Sequence, residues 1–400
     1  MRTTWTFSSA GQIIFGSGAV RQLADSARRL GVERVLFVTD QHLIEAGIYD
    51  EARSALGENF TIDIFAGGEP EPSLQAADEC ITHAREFRPN AIVGLGGGSN
   101  MDLAKVTAAV MTNGGDPRDY FGEDKIPLPS LPLICIPTTA GTGSEVSASC
   151  VLTDRENAIK IGMMSGYMRP AVALVDPSLT LTCPRKVTAD SGIDALTHAI
   201  EAYTAVDNAT FPLPPGVVSL YQGRHPLGDC LAEKAISLIG ANLANVVENP
   251  TDRAAREAMA LGAMLAGLAF SNVGVALVHA LEYPIGGATH CSHGAGNGLL
   301  LPYVMRYNMP YREREMAQIA RLLGKDISGL SNAEGAELAI RTIETLNLQI
   351  GIPTRLRELG TNYEQIPEFA AKALGIARVV RVNPRVPQVA EMIELLQGAY

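Results

Sequence analysis

Through the first half of the chain, short apolar runs alternate with amphipathic stretches. "RVLFVTD" (34–40), "AIVGLGGG" (91–98) and "LPLICIPTTAGTGSE" (131–145) each begin as a buried strand and end in turn residues. Between them, "EARSALGE" and "SLQAADECITHAREF" have helical spacing, and "AVALVDPSLTLTCP" (171–184) reads as a last strand. Strand–helix alternation predicts a mainly parallel sheet with helices on its faces. Beyond Pro184 the pattern changes to long helical stretches, such as "SGIDALTHAIEAY" and "AREAMALGAMLAGLAF", with few β-branched runs. The expected architecture is an α/β domain over residues 1–184 and an all-helical domain over 185–400, since 400 residues exceed one compact core.

One apolar stretch tests the soluble reading. "GAMLAGLAFSNVGVALVHAL" (262–281) is free of charge and nearly long enough to span a bilayer. It carries Ser271, Asn272, Gly274 and His279 and lacks aromatic or basic flanks. A buried helix, or two helices meeting at "SNVG", is expected instead of a membrane span. The net charge of −11 argues against nucleic acid or an anionic membrane as partner, because polyanions need a basic face. The opening residues hold no long apolar run of a secretory signal, and the six cysteines show neither CxxC spacing nor a clustered framework. Reduced thiols and a cytoplasmic location follow as expectations.

Candidate chemistry begins with two small-residue loops. "GLGGGSNMDLAK" (94–105) reads as a strand, a glycine turn and a helix start, where bare amides form an anion site. It misses the ordinary dinucleotide fingerprint, with Ser99 where a third glycine belongs. The ribose-binding acid, which should follow the turn, is best supplied by Asp40, well before it. "PTTAGTGSE" (137–145) is a similar loop at another strand end. Two such loops on one sheet edge favour a dinucleotide over a single phosphate; a tight turn without ligand is the alternative.

The second candidate is a set of histidines. Asp194 and His198 stand four apart in a helical stretch, on one face and about one turn apart. Together they could ligate one divalent ion, or simply hydrogen-bond within the helix. "HALEYPIGGATHCSH" (279–293) places three of the chain's seven histidines in one short stretch. His279 ends an apolar helix, where an unpaired imidazole is costly to bury, and His293 lies fourteen residues on. His290, on the irregular loop, is expected to be a surface residue. One aspartate and three histidines leave room for substrate only if the ion accepts a fifth ligand, which ferrous iron does and zinc can.

"GGGSNMDLAK", "PTTAGTGSE", "DPSLT", "GIDALTHAIEAY", "VHALEYPIGG" and "HGAGNG" together resemble, in colinear order over nearly the whole chain, the motifs of iron-containing (group III) alcohol dehydrogenases. The resemblance implies a dehydroquinate synthase-like fold: a dinucleotide-binding domain, a helical domain, and a metal in the cleft between them. It implies Asp194, His198, His279 and His293 as ligands of a divalent ion, Fe2+ with Zn2+ as the alternative. For NAD it implies Asp40 at the adenosine ribose, where its charge repels a 2′-phosphate, and Gly97, Gly98 and Ser99 at the pyrophosphate. Thr138, Thr139, Thr142 and Ser144 would line the cofactor, Lys160 would reach the nicotinamide ribose, and Leu179 would pack near the adenine. Asp102, near the nicotinamide end, and Tyr283 are the candidate catalytic side chains.

Three departures qualify the resemblance. Tyr283 stands where most members carry a histidine four residues after the third ligand. "PEPS" replaces the common "PNPT", putting Glu71 in place of an asparagine. The stretch 205–229 is longer than the usual helix connection and, with "EYPIGG", is similar to the hydroxyacid–oxoacid transhydrogenase branch. His225 within it is expected to be a surface loop residue, with a substrate contact as the alternative. The implied function is metal-dependent, NAD-linked interconversion of a primary or ω-hydroxy alcohol and its aldehyde by hydride transfer, in a homodimer or larger homo-oligomer. The alternatives are a transhydrogenase that retains NAD, a cyclising or lyase enzyme on the same fold, and a non-enzymatic metal-dependent binding protein.

Overall fold

A computed structural model describes residues 2–157, 159–213 and 219–400. They form two compact units. One is Ser8–Cys183 with Val218–Leu220; the other is Met1–Phe7, Pro184–Val217 and Tyr221–Tyr400.

The first unit is α/β. Its strands are β1 (Gln12–Phe15), β2 (Arg34–Val38), β3 (Thr61–Phe65), β4 (Ala91–Gly96), β5 (Gly122–Glu123), β6 (Leu133–Pro137), β7 (Ser149–Asp154), β8 (Ile159–Met164) and β9 (Val172–Val175). Its helices are α1 (Leu23–Arg29), α2 (Gln41–Glu45), α3 (Ile48–Leu56), α4 (Leu74–Phe87) and α5 (Gly98–Asn113). Six strands make one wholly parallel sheet in the order β1-β9-β6-β4-β2-β3, and β5-β8-β7 form a smaller one. Alternate residues of one strand feed two separate cores, as a strand's period of two requires. Leu36, Val38 and Ile92 pack with residues of α4 and α5. Val35, Phe37, Val93 and Leu95 pack with residues of α1 and α3 on the other face. Burial on both faces is why these strands read as unbroken apolar runs.

The strand order also creates a crevice. From β2 the chain moves outward to β3, whereas from β4 it moves the other way to β6. The carboxyl ends of β2 and β4 therefore flank a topological switch point, the usual place for a ligand on an open parallel sheet.

The second unit is helical: α6 (Arg185–Thr204), α7 (Pro226–Glu248), α8 (Arg253–Val273), α9 (Leu277–Thr289), α10 (His293–Leu322), α11 (Asn332–Ile350), α12 (Ile366–Leu374), α13 (Ala377–Val380) and α14 (Val389–Ala399). Nearly every residue of α6 beyond Lys186 is buried, as expected of a central helix. The apolar stretch 262–281 is two helices, α8 and α9, which meet just after "SNVG" at a bend of 102°. Helix α7 has the length and apolarity of a membrane span, yet it packs along α6 and α8.

The stretch 205–229 contains a short 3-10 turn, Asn208–Thr210, and a bridge between Asp207 and Arg224; residues 214–218 of it lie outside those described. The expectation of a surface position for His225 is corrected here. It caps the start of α7, is 3% exposed, and stacks on Trp5 with ring centroids 4.4 Å apart. Gln222 anchors the same N-terminal segment through Thr6, its side chain accepting from the Thr6 amide at 2.9 Å. Two aromatic rings of the N-terminal segment, Trp5 and Phe7, lie against the His225 ring.

Candidate metal centre and dinucleotide crevice

Helices α6, α9 and α10 bring the sequence-derived ligands together. Asp194 and His198 lie one turn apart on α6, His279 is in the first turn of α9, and His293 opens α10. Gly294 allows the last approach, because a Cβ there would stand 2.0 Å from the Asp190 carbonyl oxygen of α6. Asp194, His198 and His279 are buried and offer ligand atoms all within 4.8 Å of one another. The Asp194 carboxylate lies 3.9 Å from His198 Nε2, 3.7 Å from His279 Nε2 and 3.9 Å from His293 Nε2. Ligand atoms about 2.1 Å from a tetrahedral ion stand roughly 3.4 Å from one another, so this set matches a small cation closely. His293 is the most open member, with 26% of its side chain exposed.

Asn297, one turn along α10 from His293, shows where the lone pairs point. Its Nδ2 lies 2.8 Å from Asp194 Oδ1 and 3.1 Å from both His279 Nε2 and His293 Nε2. Its Oδ1 is buried without a hydrogen-bond partner among the described residues. Burial alone would raise the Asp194 carboxyl. The charges of His198, His293 and His279, with the Asn297 hydrogen bond, outweigh burial and hold it at about 2. A permanent anion thus faces three imidazoles. His290 caps the C-terminus of α9 in a left-handed conformation and is exposed, outside the cluster.

At the other candidate site, Asp40 follows β2 and the glycine turn follows β4, the two strands flanking the switch point. Asp40 caps α2 by accepting from the Leu43 amide at 3.1 Å, and its other oxygen accepts from Asn100 Nδ2 at 2.7 Å. Gly97 caps α5, and Gly98 and Ser99 form its first turn. The loop after β6 packs on that turn: a Cβ on Gly98 would lie 2.6 Å from the Thr142 methyl group. The Thr138 amide bonds the Gly96 carbonyl at 3.0 Å, and Thr139 borders Gly97. Asp102 accepts from Ser144 Oγ at 2.7 Å and from the Val151 amide at 2.8 Å. Burial pushes its carboxyl up, against the pull of Lys105. Lys160, on β8, pairs with Glu71, and Leu179 is buried in the core that holds Val35 and Phe37.

A family model of iron-containing alcohol dehydrogenase matches residues 10–177, and the model of that family's C-terminal part matches residues 220–400. The chain belongs to the iron-containing alcohol dehydrogenase family. It is 35% identical to an NAD-dependent methanol dehydrogenase of Bacillus methanolicus, over 96% of this chain and 97% of that protein. It is 40% identical to long-chain-alcohol dehydrogenase 1 of Geobacillus thermodenitrificans, over 90% of this chain and 86% of that one. A solved 1,3-propanediol oxidoreductase superposes with a TM-score of 0.92 at 34% identity, over the full length of both chains.

Within this iron-containing alcohol dehydrogenase, three residues beside the cluster escaped the sequence reading. Glu201 and Glu282 each face a ligand histidine, and Asn297 faces three ligand atoms. A signal existed: "HAIE" (198–201) and "HALE" (279–282) repeat one pattern at two ligands. The transhydrogenase-like reading of 205–229 gains no support from its described part, which anchors Trp5 and Thr6 through His225 and Gln222.

Proposed function

We propose that this chain catalyses reversible hydride transfer between a primary or ω-hydroxy alcohol and NAD. A divalent ion, Fe2+ in the first place, would be held by Asp194, His198, His279 and His293. The carrying observation is the convergence of three ligand atoms on one point, marked by the Asn297 nitrogen. One anion and imidazole nitrogens at near-tetrahedral separations form a donor set fit for Fe2+ or Zn2+. When bound, the ion supplies Lewis acidity toward the alcohol or carbonyl oxygen, and NAD accepts the hydride.

The chain's own residues would do the rest. The glycine turn and the α5 N-terminus offer amides to the pyrophosphate, with Thr138, Thr139, Thr142 and Ser144 alongside. Asp40 would meet the adenosine ribose and exclude a 2′-phosphate. Lys160 would reach the nicotinamide ribose. Asp102 would act by fixing the 144–151 segment through Ser144 and Val151, a positioning role instead of a proton-transfer one. Tyr283 is buried on α9 with its ring 6.1 Å from that of His293, close enough to shape the space beside the ion. None of the six cysteines forms a disulfide, which suits a reducing cytoplasm.

The relatives named above act on alcohols from methanol to long chains, so family membership does not choose the substrate. A panel of alkanols, diols and ω-hydroxyacids, run with NAD on metal-reconstituted protein, tests the proposal. NADH formation with at least one polar primary alcohol is the expected result. NAD that stays bound through purification, with reduction only of an added oxoacid, would move the chain to the transhydrogenase reading.

A further inference from the structure

The two "HAxE" repeats are not used as their spacing first suggests. In a helix, a glutamate three residues after a histidine lies on the next turn of the same face. Each glutamate here reaches past its own histidine to the ligand on the following helix. Glu201, on α6 with His198, meets His279 Nδ1 of α9 at 2.6 Å. Glu282, on α9 with His279, meets His293 Nδ1 of α10 at 2.5 Å. The three ligand helices are thus joined in series, each carboxylate setting the next imidazole.

We infer that Glu201 and Glu282 are positioning residues of the metal centre, fixing His279 and His293 so that both present Nε2 to the ion. The inference rests on the metal reading above. A carboxylate that accepts at Nδ1 keeps the proton there and leaves the Nε2 lone pair free, and it raises the basicity of that nitrogen. Both Nε2 atoms accordingly face Asp194 and the Asn297 amide. Glu201 is 4% exposed and Glu282 fully buried, so each charge would be costly without strong partners. Glu201 has further ones: it accepts from the Ala276 and Val278 amides at 2.8 and 2.7 Å, at the N-terminus of α9. Amides there favour an anion and pin the helix that carries His279. His198 is oriented in another way, stacked between Phe270 at 4.3 Å and His279 at 4.8 Å. Asp194, Glu201 and Glu282 also bring three carboxylates to the three imidazoles, which favours a divalent cation.

The rival account is that both glutamates merely hold helices together. Co2+ affinity, measured on the full chain by chelator competition, separates the two, with the visible Co2+ spectrum reporting ligand geometry. Glu282→Gln and Glu201→Gln keep size and remove charge. Both should bind Co2+ about 10–100-fold more weakly, the usual cost of losing such a partner, and with an altered spectrum. Ile343→Ala, a buried change on α11 away from the cluster, serves as the stability control. It should lower the melting temperature without changing Co2+ affinity. If either Gln variant does not fold, the Asp variant at that position replaces it; the shorter carboxylate should still bind Co2+ more weakly than wild type. Unchanged affinity and spectrum in the glutamate variants, or an equal affinity loss in Ile343→Ala, overturns the inference. Asp194→Ala checks the underlying reading separately: Co2+ binding undiminished in that variant would remove the metal site itself.

Discussion

The carboxylate of Glu71 holds the ammonium group of Lys160 at 2.8 Å. Lys160 is almost wholly buried and Glu71 is partly exposed, in a left-handed backbone conformation with φ of 53°. The "PEPS" departure therefore gives the proposed ribose-binding lysine a counter-charge that an asparagine would not supply. Glu71→Asn removes that charge and suits the left-handed backbone. A partly exposed ion pair contributes about 1 kcal/mol, so the KM for NAD should change by roughly five-fold while kcat moves less. An unchanged KM would leave the pair without a role in cofactor binding.

Asp40 has two duties, which sharpens the test of cofactor choice. It caps α2 through the Leu43 amide as well as standing at the proposed ribose site. Asp40→Ser retains an oxygen for the cap and deletes the charge that repels a 2′-phosphate. NADP should gain about 1–3 kcal/mol relative to NAD, the scale of one charged contact. Wild-type protein that already prefers NADP contradicts this role.

Much of this fold is legible in the sequence, and the losses have identifiable causes. The strands of the parallel sheet show because burial on both faces leaves continuous apolar runs, as in β2 and β4. Their order does not show, since it depends on crossovers. That is why Asp40 looks misplaced in sequence, yet stands beside the glycine turn once β2 and β4 are neighbours. His225 misleads because Trp5, in the N-terminal segment, stacks on it. Asp194, His198, His279 and His293 are readable from spacing and motif. Glu201 and Glu282 are not, because their partners lie on different helices.

Tyr283 is the candidate for substrate selection. Tyr283→Phe deletes only the hydroxyl and keeps the ring that lies beside His293. Catalytic efficiency toward an ω-hydroxyacid should fall by about 1 kcal/mol, roughly five-fold, the usual value of one neutral hydrogen bond. A plain alkanol of equal length should be little affected. Equal effects on both substrates would assign Tyr283 to packing.

Glu145, in the second small-residue loop, gives a pH signature. Burial pushes its carboxyl up to about 7, its own backbone amide and Lys105 opposing only in part. As pH rises from about 4.5 to about 7 the unfolded chain ionises first, so the native state loses roughly 3 kcal/mol of stability over that window. Below the window this contribution is fully retained. Glu145→Gln should therefore be more thermostable than wild type at mildly alkaline pH, with the gain shrinking as pH falls through the window. A difference that does not vary with pH would place the Glu145 carboxyl in a solvated setting.

Metal removal and return asks whether the ion held by Asp194 and the three histidines is needed for turnover. Protein stripped by a strong chelator is titrated with Fe2+ under anaerobic conditions, while alcohol-dependent NADH formation and bound iron are followed together. Activity should vanish on stripping and return to a plateau at one ion per chain, and His279→Ala should recover neither metal nor activity. Full alcohol oxidation by protein from which metal analysis shows the ion has gone, or full iron occupancy in His279→Ala, would contradict the account.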